Sequence, residues 1–423
     1  MTPPSPRPHP LTPGRGCDVS PLAHAVAAAR RVPRYNKGKM AVPARVHSVA
    51  AARAQFGARV DPLIDALDQL DPLADAASAA LADVPGAHAL VDAAIAGTTT
   101  DLPPALRELL ASVAEFPAWV DWARVERGCH LFMRVGFAGG LVLGLRSLPY
   151  GYAAAAGNKP LVFSGRLAER APRRLAETAR FVAAVSEPGG LRSRGEGFAI
   201  TLKVRLMHAQ VRRLLLQSGH WNHALWSAPI NQHDMLSTIF LFSQVFLDGL
   251  RMLGLRISRA EADDFVHLWR VIGWLIGVEV DLLPDDEREA RAWAEAIFLT
   301  QGPPDDDSRA LVAALLRSPI QSATTPAEHR QAATRMRITT QLCRHLLGKP
   351  MADLLAVPDE RPALATPILY RALAGLDRAR ASVPALDRLA ARAGRRYWDG
   401  VVAVGLAGTP ADFAPPARLA RIP

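Results

Sequence analysis

Residues 198–217 read FAITLKVRLMHAQVRRLLLQ, and their pattern governs the reading of the rest of the chain. Ile200, Val204, Met207, Val211, Leu214 and Leu215 recur at three- and four-residue spacing, which puts them on one face of a helix. His208 lies one turn from both Val204 and Val211, at the edge of that stripe. Arg205 and Arg212 stand on its other flank, so the imidazole sits on a border between apolar surface and two guanidinium groups.

The same periodicity continues outward. In residues 173–186 Leu175, Thr178, Val182 and Val185 share a face, which turns the Thr178 hydroxyl inward with Arg174 one turn before it. From Trp119 to Leu347 long apolar-periodic stretches alternate with Gly- and Pro-rich breaks at 149–152, 157–160, 188–197, 219–231, 255–258, 284–286 and 302–307. Alternating runs of β-branched residues are nearly absent, so the chain is predicted to be all-α. Four parts are expected: a largely unstructured Pro/Arg-rich arm (1–40), N-terminal helices (41–118), a helical core (119–348), and C-terminal helices with a Pro-rich tail (349–423).

Composition narrows the function. The 423 residues carry a net charge of +10, and 45 of the 50 basic residues are Arg. These arginines are scattered over amphipathic segments without interleaved aromatics, so no nucleic-acid partner is expected. The three cysteines are far apart and support neither a disulfide framework nor a CxxC site. The N-terminus lacks an apolar leader, and the apolar run Val135–Leu145 is shorter than the roughly twenty residues a bilayer span needs. A cytoplasmic protein without stable membrane insertion, monomeric or homodimeric, is the expectation. Signatures of nicotinamide, nucleotide, serine-hydrolase and zinc-protease sites are missing.

Two readings of His208 follow from spacing. In one it is a border histidine bonded to a backbone carbonyl, beside two solvated arginines. In the other it is the axial ligand of a haem: the iron takes a neutral imidazole in an apolar pocket, and the propionates take Arg205 and Arg212, whose planar forks suit carboxylates.

The string KVRLMHAQVRR resembles the haem-ligand helix of the MpaB/latex-clearing-protein oxygenases. RLAETARFV (174–182), APINQHDMLSTIFLF (228–242) and GLRMLGLRISRAEADDFVHLWRVIGWLIGV (249–278) match in order. The resemblance covers roughly residues 130–285. It implies haem b, a globin-like helical core with additional terminal helices, His208 as the iron ligand, and dioxygen as co-substrate. It also implies a hydrophobic isoprenoid- or hydrocarbon-like substrate, attacked by oxidative cleavage of a C=C bond or by hydroxylation. Arg174, Glu177 and Thr178 then line the oxygen-binding side, and Arg337, in RMRITT with Arg335, stands for a haem-contacting arginine.

The sequence departs from the rubber-cleaving pattern at two places. Glu177 replaces a lysine before the threonine, and Asn158 and Lys159 stand where a catalytic glutamate is expected. These departures keep open a haem-based sensor or carrier of diatomic ligands that performs no turnover. Thr178 also has a plainer role, bonding its own backbone four residues back. Among other histidines, His220 and His223 read as loop residues, His233 as a neighbour of a helix-start Asp234, and His267 as core with the haem periphery as the alternative.

Overall fold

The computed structural model describes residues 43–163, 166–321, 325–359 and 365–409, together with Ala411 and Phe413. The expected arm over 1–40 lies outside them. The described chain is helical. Among the described residues there is no strand, only an isolated antiparallel bridge between Val46 and Gln301.

Short helices come first: Val49–Phe56 (α1), Val60–Asp65 (α2), Pro72–Ala80 (α3), Ala87–Ala96 (α4) and Pro104–Ala111 (α5). The core follows with Trp122–Val142 (α6), Leu148–Ala153 (α7), Lys159–Phe163 (α8), Arg166–Val185 (α9) and Glu196–Gln217 (α10). His223–Trp226 (α11), Gln232–Phe242 (α12), Gln244–Met252 (α13), Arg259–Leu275 (α14) and Glu287–Thr300 (α15) continue it. Asp306–Gln321 (α16), Pro326–Leu347 (α17), Lys349–Leu354 (α18), Ala365–Ser382 (α19) and Pro384–Leu406 (α20) complete the chain.

Local chemistry explains the starts. Asp121 accepts from the backbone N–H of Ala123 and Arg124 at 2.9 and 3.2 Å, which satisfies orphan donors at the head of α6. Ser258 with Glu261 and Thr325 with Glu328 form capping boxes for α14 and α17. Asn231 caps α12 by accepting from the Asp234 N–H at 2.8 Å. Asp234 itself occupies the first turn, where the helix dipole favours an acid.

Most expected breaks are present, but the one at 149–152 is not. A π turn over Leu143–Ser147 joins α6 to α7, so helical structure continues from Trp122 to Ala153 with a kink at Gly136, whose φ is 32°. The wider turn relieves the clash that Pro149 would make with the carbonyl four residues before it. By length and composition Trp122–Ala153 and Gln232–Met252 are each sufficient to cross a bilayer, and 61% and 67% of their apolar windows are buried within the protein.

α6 is the central post, packed against α14 on one side and α20 on another. The crossing with α20 is glycine on glycine: a Cβ added at Gly136 would lie 2.7 Å from Gly394 Cα, and one at Gly394 would meet the Met133 carbonyl. Around this post Phe132 stacks on Trp398 at 4.9 Å and Phe242 on Trp269 at 5.1 Å between ring centres. α10 packs against both α3 and α9. α9 and α10 thus face each other with His208 on one and Thr178 on the other.

Candidate functional site

α9 and α10, with α7, α8, α12 and α16, enclose a cavity of about 320 Å³. His208, Val204, Met207 and Val211 come from α10, and Arg174, Leu175, Glu177, Thr178 and Phe181 from α9. Most of the remaining wall is apolar, including Leu148, Leu161, Met235, Ile239, Phe242 and Leu315. Such a wall excludes water and suits an apolar ligand.

His208 is enclosed by protein, and its Nδ1 is buried without a hydrogen-bond partner. Burial pushes its pKa down to about 4, with the positive charges of Arg212 and Arg174 adding to the effect. The ring is therefore neutral at physiological pH, as a metal ligand must be. Because Nδ1 is closed off by protein, the nitrogen left for an iron in the cavity is Nε2. Among the described residues no group of three or more His, Cys, Asp and Glu converges as a bare ion would need. One imidazole beside an apolar cavity is instead what a macrocycle-held iron asks of a protein.

The expected propionate edge is not formed by Arg205 and Arg212. Neither lines the cavity, because both are bound to acids from the N-terminal helices. Arg205 forks onto Asp71, Nε to Oδ2 at 2.6 Å and Nη2 to Oδ1 at 2.9 Å. Arg212 pairs with Asp75 and also donates to the carbonyls of Pro229 and Ile230. Burial raises the Asp75 pKa in spite of Arg212 beside it. Arg337 and Arg335 are exposed on α17, away from the cavity wall. Of the expected cationic contacts, Arg174 is the one at the cavity.

The α9 trio is brought together as expected. Glu177 is buried and faces the cavity, with Arg173 Nε at 3.3 Å and Arg174 Nη1 at 3.7 Å from its oxygens. Thr178 adopts the plainer role as well: its hydroxyl donates to the Arg174 carbonyl at 3.0 Å. With that proton committed, Thr178 Oγ1 can only accept from a group in the cavity.

Asn158 and Lys159 separate. Asn158 is buried in the cavity wall, whereas Lys159 turns to Asp305, at 2.6 Å, and Asp307. Asp234 reaches the cavity margin already bound by Arg45, with contacts of 2.6 and 2.9 Å that hold its carboxyl well below the usual range despite burial. His220 and His223 are exposed, and His223 approaches Asp68 at 3.3 Å. His267 is core: its Nε2 accepts the Asp121 N–H at 2.9 Å. Tyr152, which lines the cavity, was hidden in the sequence behind the apparent break at Pro149. Burial raises its hydroxyl pKa to about 12, so it enters the cavity wall as a neutral phenol.

This fold resembles a known one. The structure of latex clearing protein in its closed state superposes with a TM-score of 0.59 at 23% identity, over 78% of this chain and 90% of that one. The chain belongs to the family of the ER-bound oxygenase mpaB/B′/rubber oxygenase catalytic domain, whose model matches residues 127–379. It is 27% identical over 267 residues to the rubber oxygenase of Streptomyces sp. (strain K30), a match covering 61% of this chain and 64% of that protein. The match therefore spans less than two thirds of that relative's length.

Proposed function

We propose that the protein is a haem b-dependent oxygenase that uses dioxygen on a hydrophobic, isoprenoid- or hydrocarbon-like substrate. The observation that carries this reading is the neutral His208 imidazole in the wall of an apolar cavity, its Nδ1 buried without a hydrogen-bond partner. Family membership supports the oxygenase class.

His208 would hold the iron, and Arg174, the guanidinium on the cavity wall, would face a propionate or the oxygen-binding side. When bound, the haem supplies the oxygen chemistry. The chain's own residues set the conditions for it. The apolar side chains of α9, α10 and α12 exclude water and hold an apolar chain. Glu177, oriented by Arg173 and Arg174, is the carboxylate placed to take or return a proton. Thr178 Oγ1 offers lone pairs to a donor in the cavity.

The lysine that rubber-cleaving relatives carry before this threonine is here an acid clamped by two arginines. That reversal of charge favours a substrate or proton route different from theirs, ending in C=C cleavage or hydroxylation. The deciding experiment is an absorbance spectrum of protein expressed with sufficient haem. A Soret band is expected; its absence would end the haem reading.

A further inference from the structure

Helices α19 and α20 carry a surface that the cavity does not use. Along α19, Ile368, Ala372, Leu376 and Ala379 recur at three- and four-residue spacing, and all four are exposed, so they form one apolar stripe facing water. Ile368 is 65% and Leu376 69% exposed. Arg371 and Arg378, two turns apart, run along one edge of the stripe. α20 repeats the arrangement. Leu386, Leu389 and Ala393 are exposed on one side, and Arg388, Arg392 and Arg396 follow at four-residue spacing beside them. Val383, also exposed, stands at the joint between the two helices. None of these five arginines has an ion-pair partner among the described residues. The ion pairs that the two helices do make lie elsewhere: Asp377 and Asp387 hold Arg380, and Arg395 holds Glu187. Asp399 is the one exposed acid described on either helix.

Exposed apolar side chains bordered by unpaired cations mark a docking face, and its charge selects the occupant. Residues 1–42 carry seven Lys and Arg against one Asp, and 414–423 carry two Arg and no acid, so both terminal segments are repelled by it. A two-fold contact between copies would set the same arginines against one another. An anionic bilayer meets both halves of the face, its headgroups the guanidiniums and its acyl boundary the apolar stripe. We propose that α19 and α20 dock the protein on an anionic lipid membrane, lying on the surface without spanning it. All of α20 lies beyond the family match at 127–379. Docking needs no haem, so it stands apart from the oxygenase reading.

The test is co-sedimentation of the full chain with vesicles of phosphatidylcholine alone and of phosphatidylcholine and phosphatidylglycerol in equal parts. Binding to the mixed vesicles is expected, weakening with added salt. No binding to them overturns the proposal, and this arm needs no variant to fold. Equal binding to the neutral vesicles overturns it too, because the arginines then contribute nothing. Arg388→Gln and Arg392→Gln should each lower the partition coefficient about fivefold. Leu376→Glu with Leu389→Glu should abolish binding while the circular-dichroism signal stays helical, since both side chains are exposed. Unchanged binding in these variants would assign the membrane contact to another basic part of the chain and overturn the proposal. A dimer of lipid-free protein that the leucine variants dissociate, read by sedimentation velocity, would give the face to a second copy and overturn it as well.

Discussion

Arg205 Nε lies 2.6 Å from Asp71 Oδ2, and both side chains are buried, so the helix that carries His208 is pinned to α3 by an ion pair with almost no access to water. Removing one partner of such a pair strands the other charge, at a cost of about 3–5 kcal/mol. Asp71→Ala should lower the denaturant midpoint accordingly, and the double change Asp71→Leu with Arg205→Met should recover most of the loss. A single change as mild as a surface substitution would refute the strong coupling.

His208→Ala should leave the helical circular-dichroism signal in place and remove most of the bound haem. The prediction follows from the unpartnered Nδ1: truncating the ring breaks no hydrogen bond to the protein at that atom. Full haem occupancy with an unaltered spectrum in the variant would take the residue out of that role.

Glu177 offers a direct comparison with the rubber-cleaving pattern. Glu177→Gln keeps shape and removes the charge, so its turnover should fall. Turnover unaltered at every pH would exclude proton handling by Glu177. Glu177→Lys, which installs the lysine of those relatives, should destabilise the fold, because the new cation would sit beside Arg173 and Arg174.

Acid sensitivity should come partly from His267. Burial, reinforced by Arg124 and Arg270, lowers its pKa from 6.5 to about 4. Between those values the unfolded chain binds the proton more readily than the folded one. The ring's contribution is therefore present above about pH 6.5 and is lost as pH falls through about 4. His208 and His233 are shifted in the same direction, so His267→Gln should flatten the acid limb of the stability curve without abolishing it. An unchanged slope between pH 6.5 and 4 would assign the effect to other groups.

The Gly136–Gly394 crossing gives a packing test. A methyl at Gly394 would meet the Met133 carbonyl, which is backbone and cannot swing aside. Gly394→Ala should cost about 1–3 kcal/mol, read from thermal unfolding, whereas Gly375→Ala, with open space around it, should not.

Much of this architecture was legible in the sequence because helical periodicity is local. The stripe through Val204, Met207 and Val211 faces the cavity, and the α9 face through Leu175 and Thr178 meets it. The partners of Arg205 and Arg212 were not legible: Asp71 is 134 residues from Arg205, and no spacing rule reaches that far. Pro149 was misleading for a different reason. The π turn at Leu143–Ser147 accommodates Pro149 without ending the helix, and nothing in composition announces that wider turn.

The two ion pairs from α3 to α10 also bear on how short a working piece of this protein can be. A fragment trimmed to the family match at 127–379 would lack Asp71 and Asp75. It would keep the histidine while deleting the acids that neutralise the guanidiniums on either side of it. A unit that folds on its own should therefore begin no later than Asp71, and fragments cut at the family boundary should misfold even though every cavity residue from α9 and α10 is still encoded.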